Sequence, residues 1–195
     1  KDFSALVPIE VSARHIHLSQ KDLEAFFGKG HQLKKIKQLT QPSDFAAEEI
    51  LDIKIGDKEL KNLRIVGPIR EATQIELSLT DAISLGIKPP LRISGNLKGS
   101  LGAIIKGPKG EVEAKEGLII AQRHLHCAAN EAEKLGLKNG MIVSVKTIGG
   151  RELIFHNIIV RVRDDYKLCL HLDTDEGNAA GIDKKGEGQV LNSKF

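Results

Sequence analysis

Two copies of a His-x-His motif, each directly after an arginine, are the residues of this chain best suited to chemistry. They are Arg14-His15-Ile16-His17 and Arg123-His124-Leu125-His126, and they lie 109 residues apart. Each follows a segment rich in β-branched and other apolar residues, which predicts a strand. On a strand, residues i and i+2 point to the same face about 6.5 to 7 Å apart, so both imidazoles can bind one cation. The repeated motif therefore indicates a duplicated metal-binding protein.

The duplication extends to a third position in each copy. Ile75-Glu76-Leu77 and Leu170-His171-Leu172 continue into similar segments that align without a gap, so Glu76 corresponds to His171. After each of the four ligand segments a glycine follows the metal-capable side chain by 10 or 11 residues. This spacing predicts a strand, a short helix that ends at the glycine, and a turn, with candidate N-caps at Ser19, Thr80, Asn130 and Thr174.

This regularity predicts two ligand triplets: His15, His17 and Glu76 in one repeat, and His124, His126 and His171 in the other. Three nitrogen or oxygen ligands with one open position are typical of catalytic zinc, whereas structural zinc usually takes four ligands. The alternative is that the histidines are hydrogen-bonded strand residues without a metal. Two copies in matching register favour the metal.

Arg70 stands six residues before Glu76 and is a candidate for closing over a bound anion. Helix N-termini close to the predicted metals would also favour anions. The alternative for Arg70 is a solvated surface arginine. Metals, helix ends and an arginine together indicate a site for phosphate-bearing substrates, and on the residues alone a hydrolase, a transferase and an isomerase remain open.

Composition limits the class of protein. The 195 residues suffice for one large or two small domains, and the repeat favours two similar halves. A net charge of +3 with interspersed signs and only 4% aromatic residues argue against a nucleic-acid partner. No apolar run approaches the length of a transmembrane helix, so we expect no membrane partner. Two cysteines form no disulfide framework, which favours a cytoplasmic location.

Many short strand signals with brief helices between them predict a mainly β fold. Such a pattern is typical of small barrels. Together with the internal duplication it predicts two small β-barrels with short capping helices. Residues 132–140, followed by a valine-rich strand, resemble the repeating element of double-psi-type β-barrels.

The chain resembles the PduL-type phosphotransacylases, the phosphate propanoyltransferase family, over almost its whole length. The motifs that carry the resemblance are residues 11–18, 39–42, 45–48, 67–70, 123–126 and 171–179. The resemblance implies two β-barrels with exchanged strands, a dinuclear zinc site, and reversible transfer of a propanoyl or acetyl group between coenzyme A and phosphate. It also implies that the domain division need not follow the repeat. We expect residues 30–115 in one barrel, and residues 1–29 with 116–195 in the other.

The resemblance further implies roles for individual residues. His15, His17 and Glu76 would bind one metal together with the sulfur of coenzyme A, and His124, His126 and His171 would bind the other. Arg70 matches the phosphate-binding arginine of the family and is our candidate catalytic residue. Other positions that match substrate-binding residues are Ser12, Lys37, Arg64 and Asn178.

The expected cofactors are two Zn²⁺ ions per protomer or other divalent metals, and the expected ligands are acyl-CoA, coenzyme A, phosphate and acyl phosphate. We also expect a homodimer, in the cytoplasm or inside a bacterial microcompartment whose shell or core enzymes are candidate partners. Two alternative functions remain at this point. One is a two-metal hydrolase of acyl or phosphate esters, and the other is a non-catalytic, metal-stabilised double-barrel binding module.

Overall fold

The fold is known from a computed structural model that describes residues 5–191. Strands dominate these residues, and the helices are short. The chain forms two compact units. One contains residues 5–13, 40–42 and 122–191, and the other contains residues 14–39 and 43–121. We call them the terminal barrel and the central barrel.

The terminal barrel is a closed ring of six strands, which follow the order β1-β13-β10-β12-β11-β14 around the ring. Its strands are β1 (Leu6–Ser12), β10 (His124–Cys127), β11 (Ile142–Thr147), β12 (Ile154–Val162), β13 (Cys169–Asp173) and β14 (Lys185–Leu191). The pairs β1–β13 and β10–β12 are parallel, and the other four pairs are antiparallel.

The central barrel closes in the same way, in the order β9-β6-β2-β5-β4-β8. Its strands are β2 (His15–His17), β4 (Phe45–Ile55), β5 (Lys58–Gly67), β6 (Gln74–Glu76), β8 (Leu101–Gly107) and β9 (Gly110–Ala121). Two shorter strands extend its sheet, β3 (Lys35–Gln38) beside β4 and β7 (Leu91–Arg92) beside β9. The predicted mainly β fold of two small barrels is confirmed.

The two rings have the same sequence of parallel and antiparallel pairs, and matching them strand by strand reveals an exchange. β10 to β14 correspond to β2, β4, β5, β6 and β8, while β1 of the terminal barrel corresponds to β9 of the central barrel. Each repeat therefore contributes its first strand to the other barrel. These bounds differ from the expected division at residues 14–29, 40–42 and 116–121. β2 pairs with β5 and β6, β9 pairs with β6 and β8, and Gln41 hydrogen-bonds Lys167 of the terminal barrel.

Four short helices follow the ligand strands: α1 (Gln20–Phe27), α2 (Leu79–Leu85), α3 (Ala129–Leu135) and α4 (Thr174–Ala180). A glycine at positive φ follows each helix, as the spacing predicts. Ser19 is the N-cap of α1 as expected. The other three N-caps are Ser78, Ala128 and Asp173, so Thr80, Asn130 and Thr174 were wrong. In each of these three helices an acidic residue three positions after the N-cap accepts a hydrogen bond from the N-cap backbone, which determines where the helix begins. None of the four helices in residues 5–191 has the length and apolar character that a membrane span requires.

Alternation along the strands turns the predicted ligands away from the barrel cores. Ile16 and Leu125, the middle residues of the two His-x-His motifs, are fully buried in their cores. Leu170 and Leu172 flank His171 and are buried in the terminal core. Because neighbouring residues on a strand point to opposite faces, the histidines lie on the face opposite these apolar side chains.

Gly117 on β9 gives a prediction about stability. Its φ is +122°, and a Cβ atom there would lie 2.6 Å from the backbone oxygen of Thr73. Gly117→Ala should therefore lower the free energy of unfolding by about 2 to 4 kcal/mol, since backbone strain and a steric clash add. Gly150→Ala is the control, because that position has open space and no positive φ. Denaturant unfolding of the metal-free proteins measures both, and equal effects would contradict the prediction.

Candidate metal centres and active-site residues

The first predicted triplet is assembled in the central barrel. β2 and β6 pair with His15 opposite Glu76, so the two histidines and the carboxylate share one face of the sheet. The Nε2 atoms of His15 and His17 are 3.1 Å apart. Oxygens of Glu76 lie 3.6 Å from Nε2 of His15 and 3.8 Å from Nε2 of His17. Three donor atoms therefore converge on one point.

The tautomer of His17 suits a metal ligand. Its Nδ1 lies 2.9 Å from the carbonyl oxygen of Val66, which can only accept, so Nδ1 carries the proton and donates it. Nε2 then keeps its lone pair and points toward Glu76. Burial, followed by the nearby His15 and Arg70, holds the pKa of His17 well below its usual value, so the ring is neutral.

The spacing of these donors fits zinc. Ligands about 2.0 to 2.1 Å from a tetrahedral zinc ion are roughly 3.3 Å from one another. The 3.1 Å between the two histidine nitrogens lies close to that edge length, and Glu76 approaches each nitrogen with a different oxygen, Oε2 at 3.6 Å from His15 and Oε1 at 3.8 Å from His17. Two imidazoles and one carboxylate also form a donor set that occurs in catalytic zinc sites. The residues of the central barrel therefore fit a zinc ion with one position left for another ligand.

A hydrogen-bonded chain links this triplet to Arg70. Nη1 of Arg70 donates to Oγ of Ser94 over 3.1 Å, and Oγ of Ser94 donates to Oε1 of Glu76 over 3.2 Å. The amide of Gln74 also donates to both Ser94 and Glu76, while its oxygen accepts from the backbone N–H of Gly95 over 2.7 Å. The hydroxyl group of Ser94 therefore links Arg70 to the predicted metal ligand Glu76.

Ser94 and Gln74 were missed in the sequence. Gln74 lies two residues before Glu76, so alternation on the strand places both side chains on one face, and this signal could have revealed it. Ser94 lies in a turn 18 residues after Glu76. No periodicity in the sequence connects those two positions.

The second predicted triplet is assembled in the terminal barrel. β10 and β13 pair with His124 opposite His171, the same register as His15 opposite Glu76. His124, His126 and His171 offer ligand atoms that all lie within 4.8 Å of one another. Nδ1 of His124 is 2.9 Å from the carbonyl oxygen of Gln122, so this ring also donates through Nδ1, and in the neutral ring Nε2 keeps its lone pair.

The environment of His126 indicates that a cation fits the second triplet. Both of its ring nitrogens are buried and have no hydrogen-bond partner among the described residues. Buried polar atoms rarely remain unpaired, and a bound cation would satisfy one of these nitrogens. Burial and the neighbouring His124 and His171 hold its pKa far below the usual value, so the ring is neutral. Tyr166 stacks on it, with ring centroids 4.0 Å apart.

Three other side chains surround His171. Glu10 and Cys169 offer donor atoms within 4.8 Å of one another and of His171, and Oε2 of Glu10 is 3.9 Å from Nδ1 of His171. Nε2 of Gln41 lies 3.3 Å from Nε2 of His171. The Gln41 amide also donates to the carbonyl of Lys167 over 2.9 Å and accepts from its N–H over 3.0 Å, so its orientation is determined.

The predicted substrate-binding residues divide between the two units. Ser12, at the end of β1, and Asn178, exposed on α4, belong to the terminal barrel. Lys37, exposed on β3, and Arg64, on β5, belong to the central barrel. Nη1 of Arg64 donates to the carbonyl oxygens of Ala47 and Glu48 over 3.0 and 2.7 Å, and Arg64 pairs in register with His15. Their roles toward a substrate stay predictions.

Comparison with known proteins identifies the family. The phosphate propanoyltransferase family model matches residues 8–183. The phosphate propanoyltransferase of Lachnoclostridium phytofermentans is 49% identical over 178 residues, covering 90% of this chain and 83% of the relative. That of Thermotoga maritima is 47% identical over 174 residues, covering 88% and 82%. That of Salmonella typhimurium is 48% identical over 179 residues, covering 91% and 84%. The resemblance seen in the sequence is confirmed, and the chain belongs to the phosphate propanoyltransferase family, which makes it an acyltransferase.

Proposed function

We propose that this acyltransferase moves a propanoyl or acetyl group reversibly between coenzyme A and phosphate, with one zinc ion bound in each barrel. Acyl-CoA and phosphate give acyl phosphate and coenzyme A. The observation that best supports the proposal is the chain from Arg70 through Ser94 to Glu76, because it joins an anion-binding guanidinium to a set of metal ligands. Family membership supports the same reaction class.

His15, His17 and Glu76 would hold one zinc ion, and His124, His126 and His171 the other. The chemistry that zinc supplies when bound is stabilisation of a thiolate and polarisation of a carbonyl oxygen. The remaining contributions come from the protein. The carbonyl of Val66 and the carbonyl of Gln122 keep the proton on Nδ1 of His17 and His124. Each ring therefore presents an unprotonated Nε2 without a tautomer change.

Arg70 would bind phosphate. A guanidinium presents paired N–H donors that match two phosphate oxygens, and it remains charged at any working pH. Ser94 holds one of its nitrogens, which restricts the rotation of the side chain before substrate arrives. In the proposed reaction a phosphate oxygen attacks the thioester carbon, the C–S bond breaks, and the proton of the hydrogen phosphate ends on the coenzyme A sulfur.

The two cysteines do not support an alternative route through an acyl-enzyme. Both are buried, at 0% exposure for Cys127 and 1% for Cys169. Burial raises the pKa of Cys127 to about 11 and that of Cys169 to about 12, so both thiols are protonated at neutral pH. A nucleophilic cysteine needs the thiolate and access to substrate. The burial and protonation of both cysteines therefore favour direct attack by phosphate over a covalent acyl-cysteine intermediate.

Release of free thiol tests the proposal against both alternatives. Propionyl-CoA or acetyl-CoA is added with and without phosphate, and coenzyme A is followed with a thiol reagent. We expect thiol release that depends on phosphate, together with formation of acyl phosphate. Thiol release without phosphate would indicate a hydrolase. No release under either condition, with metal bound, would indicate a binding module.

We propose that Ser12, Lys37, Arg64 and Asn178 contact the substrates, and that zinc is the metal in both triplets. The homodimer, the cytoplasmic or microcompartment location and the microcompartment partners stay predictions. Size-exclusion chromatography with light scattering would test the homodimer.

A further inference from the structure

The arginine before each His-x-His motif makes the same kind of ion pair in both barrels. In the central barrel Nη1 of Arg14 donates to Oδ1 of Asp81. In the terminal barrel Nη1 of Arg123 donates to Oε1 of Glu176 over 2.6 Å. Asp81 and Glu176 occupy equivalent positions, three residues after the N-caps of α2 and α4. The proposed reaction assigns no task to either arginine.

Each carboxylate uses its two oxygens for different purposes. Oδ2 of Asp81 accepts a hydrogen bond from the backbone of Ser78 over 3.4 Å, which leaves Oδ1 for Arg14. Oε2 of Glu176 accepts from the backbone of Asp173 over 2.9 Å, which leaves Oε1 for Arg123. One oxygen therefore caps the helix, and the other binds the arginine. An aspartate in one barrel and a glutamate in the other preserve this arrangement.

The ion pair connects the two strands that carry the metal ligands. Each arginine directly precedes the strand that supplies two of the ligands, β2 for Arg14 and β10 for Arg123. Each acid stands five residues after the third ligand, Glu76 or His171, on the helix that follows the other strand. The paired strands have few backbone hydrogen bonds of their own, since β2 and β6 are three residues long. The ion pair lies outside the sheet and would add a contact that fixes the separation of these two strands.

The two ion pairs differ in burial. Exposed fractions are 43% for the Arg14 side chain and 13% for Asp81, against 27% for Arg123 and 19% for Glu176. Arg123 has further contacts, since its Nε donates to the carbonyl of His156 over 2.8 Å and its guanidinium lies 5.4 Å from the centre of the Phe155 ring. Solvent screens an exposed pair more strongly. The Arg123 pair should therefore have the larger effect.

We propose that Arg14 and Arg123 are positioning residues, each of which holds the His-x-His strand and the third-ligand strand of its own barrel at the separation that metal binding requires. The inference rests on the proposed function, because it takes the two triplets as metal ligands. Each pair acts only on its own barrel. Loss of one pair therefore weakens one metal site and leaves the other unchanged.

Metal affinity measured site by site tests the proposal. Zn²⁺ or Co²⁺ is titrated into the metal-free protein against a chromophoric chelator, and the visible absorption of bound Co²⁺ reports ligand geometry. We expect Arg14→Gln and Arg123→Gln each to weaken one of the two sites by about ten- to a hundredfold, the range found when a group that orients a metal ligand is lost. The other site should change less than twofold.

Variants that retain only one intact triplet show which metal site each arginine affects. In His15→Ala only the terminal triplet remains intact, so added Arg123→Gln should weaken binding and added Arg14→Gln should not. In His124→Ala the two results should be reversed. Arg14→Lys keeps a positive charge beside Asp81 and leaves the cap of α2 intact, and it should recover part of the affinity lost in Arg14→Gln.

Matched controls remove ion pairs that lie apart from the ligands. Lys106→Gln in the central barrel removes the 2.6 Å pair with Glu59, and Lys146→Gln in the terminal barrel removes the 2.7 Å pair with Glu152. Both should leave metal affinity unchanged. Lower melting temperatures for the arginine variants with unchanged metal affinities would overturn this proposal alone. A parent protein that binds no metal would overturn the proposed function as well.

Discussion

His15→Ala should remove about one of two bound metal equivalents and lower kcat roughly a thousandfold, since loss of the metal removes several kcal/mol of charge stabilisation. His15 is a better choice than His17 for this test. His17 is 2% exposed and donates to the Val66 carbonyl, so its removal would also break a buried hydrogen bond. His124→Ala is the equivalent change in the terminal barrel and should also cost one equivalent.

Elemental analysis of protein purified without chelators measures the metal, and the phosphate-dependent release of thiol measures kcat. His31→Ala is the control, because His31 binds Glu49 over 2.7 Å and belongs to neither triplet. It should keep both equivalents and near-normal turnover. Unchanged metal content in both His15→Ala and His124→Ala would show that the triplets do not hold the metals.

Arg70→Ala should chiefly damage the use of phosphate. Loss of a charged hydrogen bond costs about 1.5 to 3 kcal/mol, which corresponds to roughly a ten- to hundredfold decrease in kcat/KM for phosphate. Arg70→Lys should recover only part of the loss, because an ammonium group cannot bind two phosphate oxygens in the same way. Coenzyme A binding should remain near normal.

Steady-state kinetics at varied phosphate and, separately, at varied acyl-CoA distinguish the two substrates. Arg92→Ala is a suitable control, because Arg92 is also in the central barrel and its side chain donates to the carbonyl of the adjacent Leu91 over 3.3 Å. Normal saturation by phosphate in Arg70→Ala, together with a collapse of coenzyme A binding, would reassign Arg70 to the other substrate.

Short-range patterns in the sequence predict much of the candidate site. Two histidines separated by one residue share a face on any strand, so His15 and His17 could be paired before the fold was known. Glu76 and His171 came from the gapless alignment of the repeats, and the pairing of His15 with Glu76 and of His124 with His171 brings each to its motif. Their roles as metal ligands stay a prediction.

Those short-range patterns could not predict contacts between distant parts of the chain. Gln41 reaches His171 from 130 residues away, and Ser94 reaches Arg70 from 24 residues away through a turn. Neither contact follows from periodicity, because both depend on how the loops close around the strands. The wrong N-cap predictions, in contrast, could have been avoided from the sequence. The acid three residues after Ser78 and after Asp173 was visible in the sequence as a capping signal.

The exchanged first strand affects what one repeat can do alone. β1 closes the ring made by the second repeat, and β9 closes the ring made by the first, so an isolated repeat would have five strands of its own ring and one strand with nothing to pair with. Open sheet edges recruit strands from other molecules. A single repeat on its own would therefore need a second molecule with which to exchange strands. The covalent link between the two repeats makes this exchange intramolecular, so it does not depend on protein concentration.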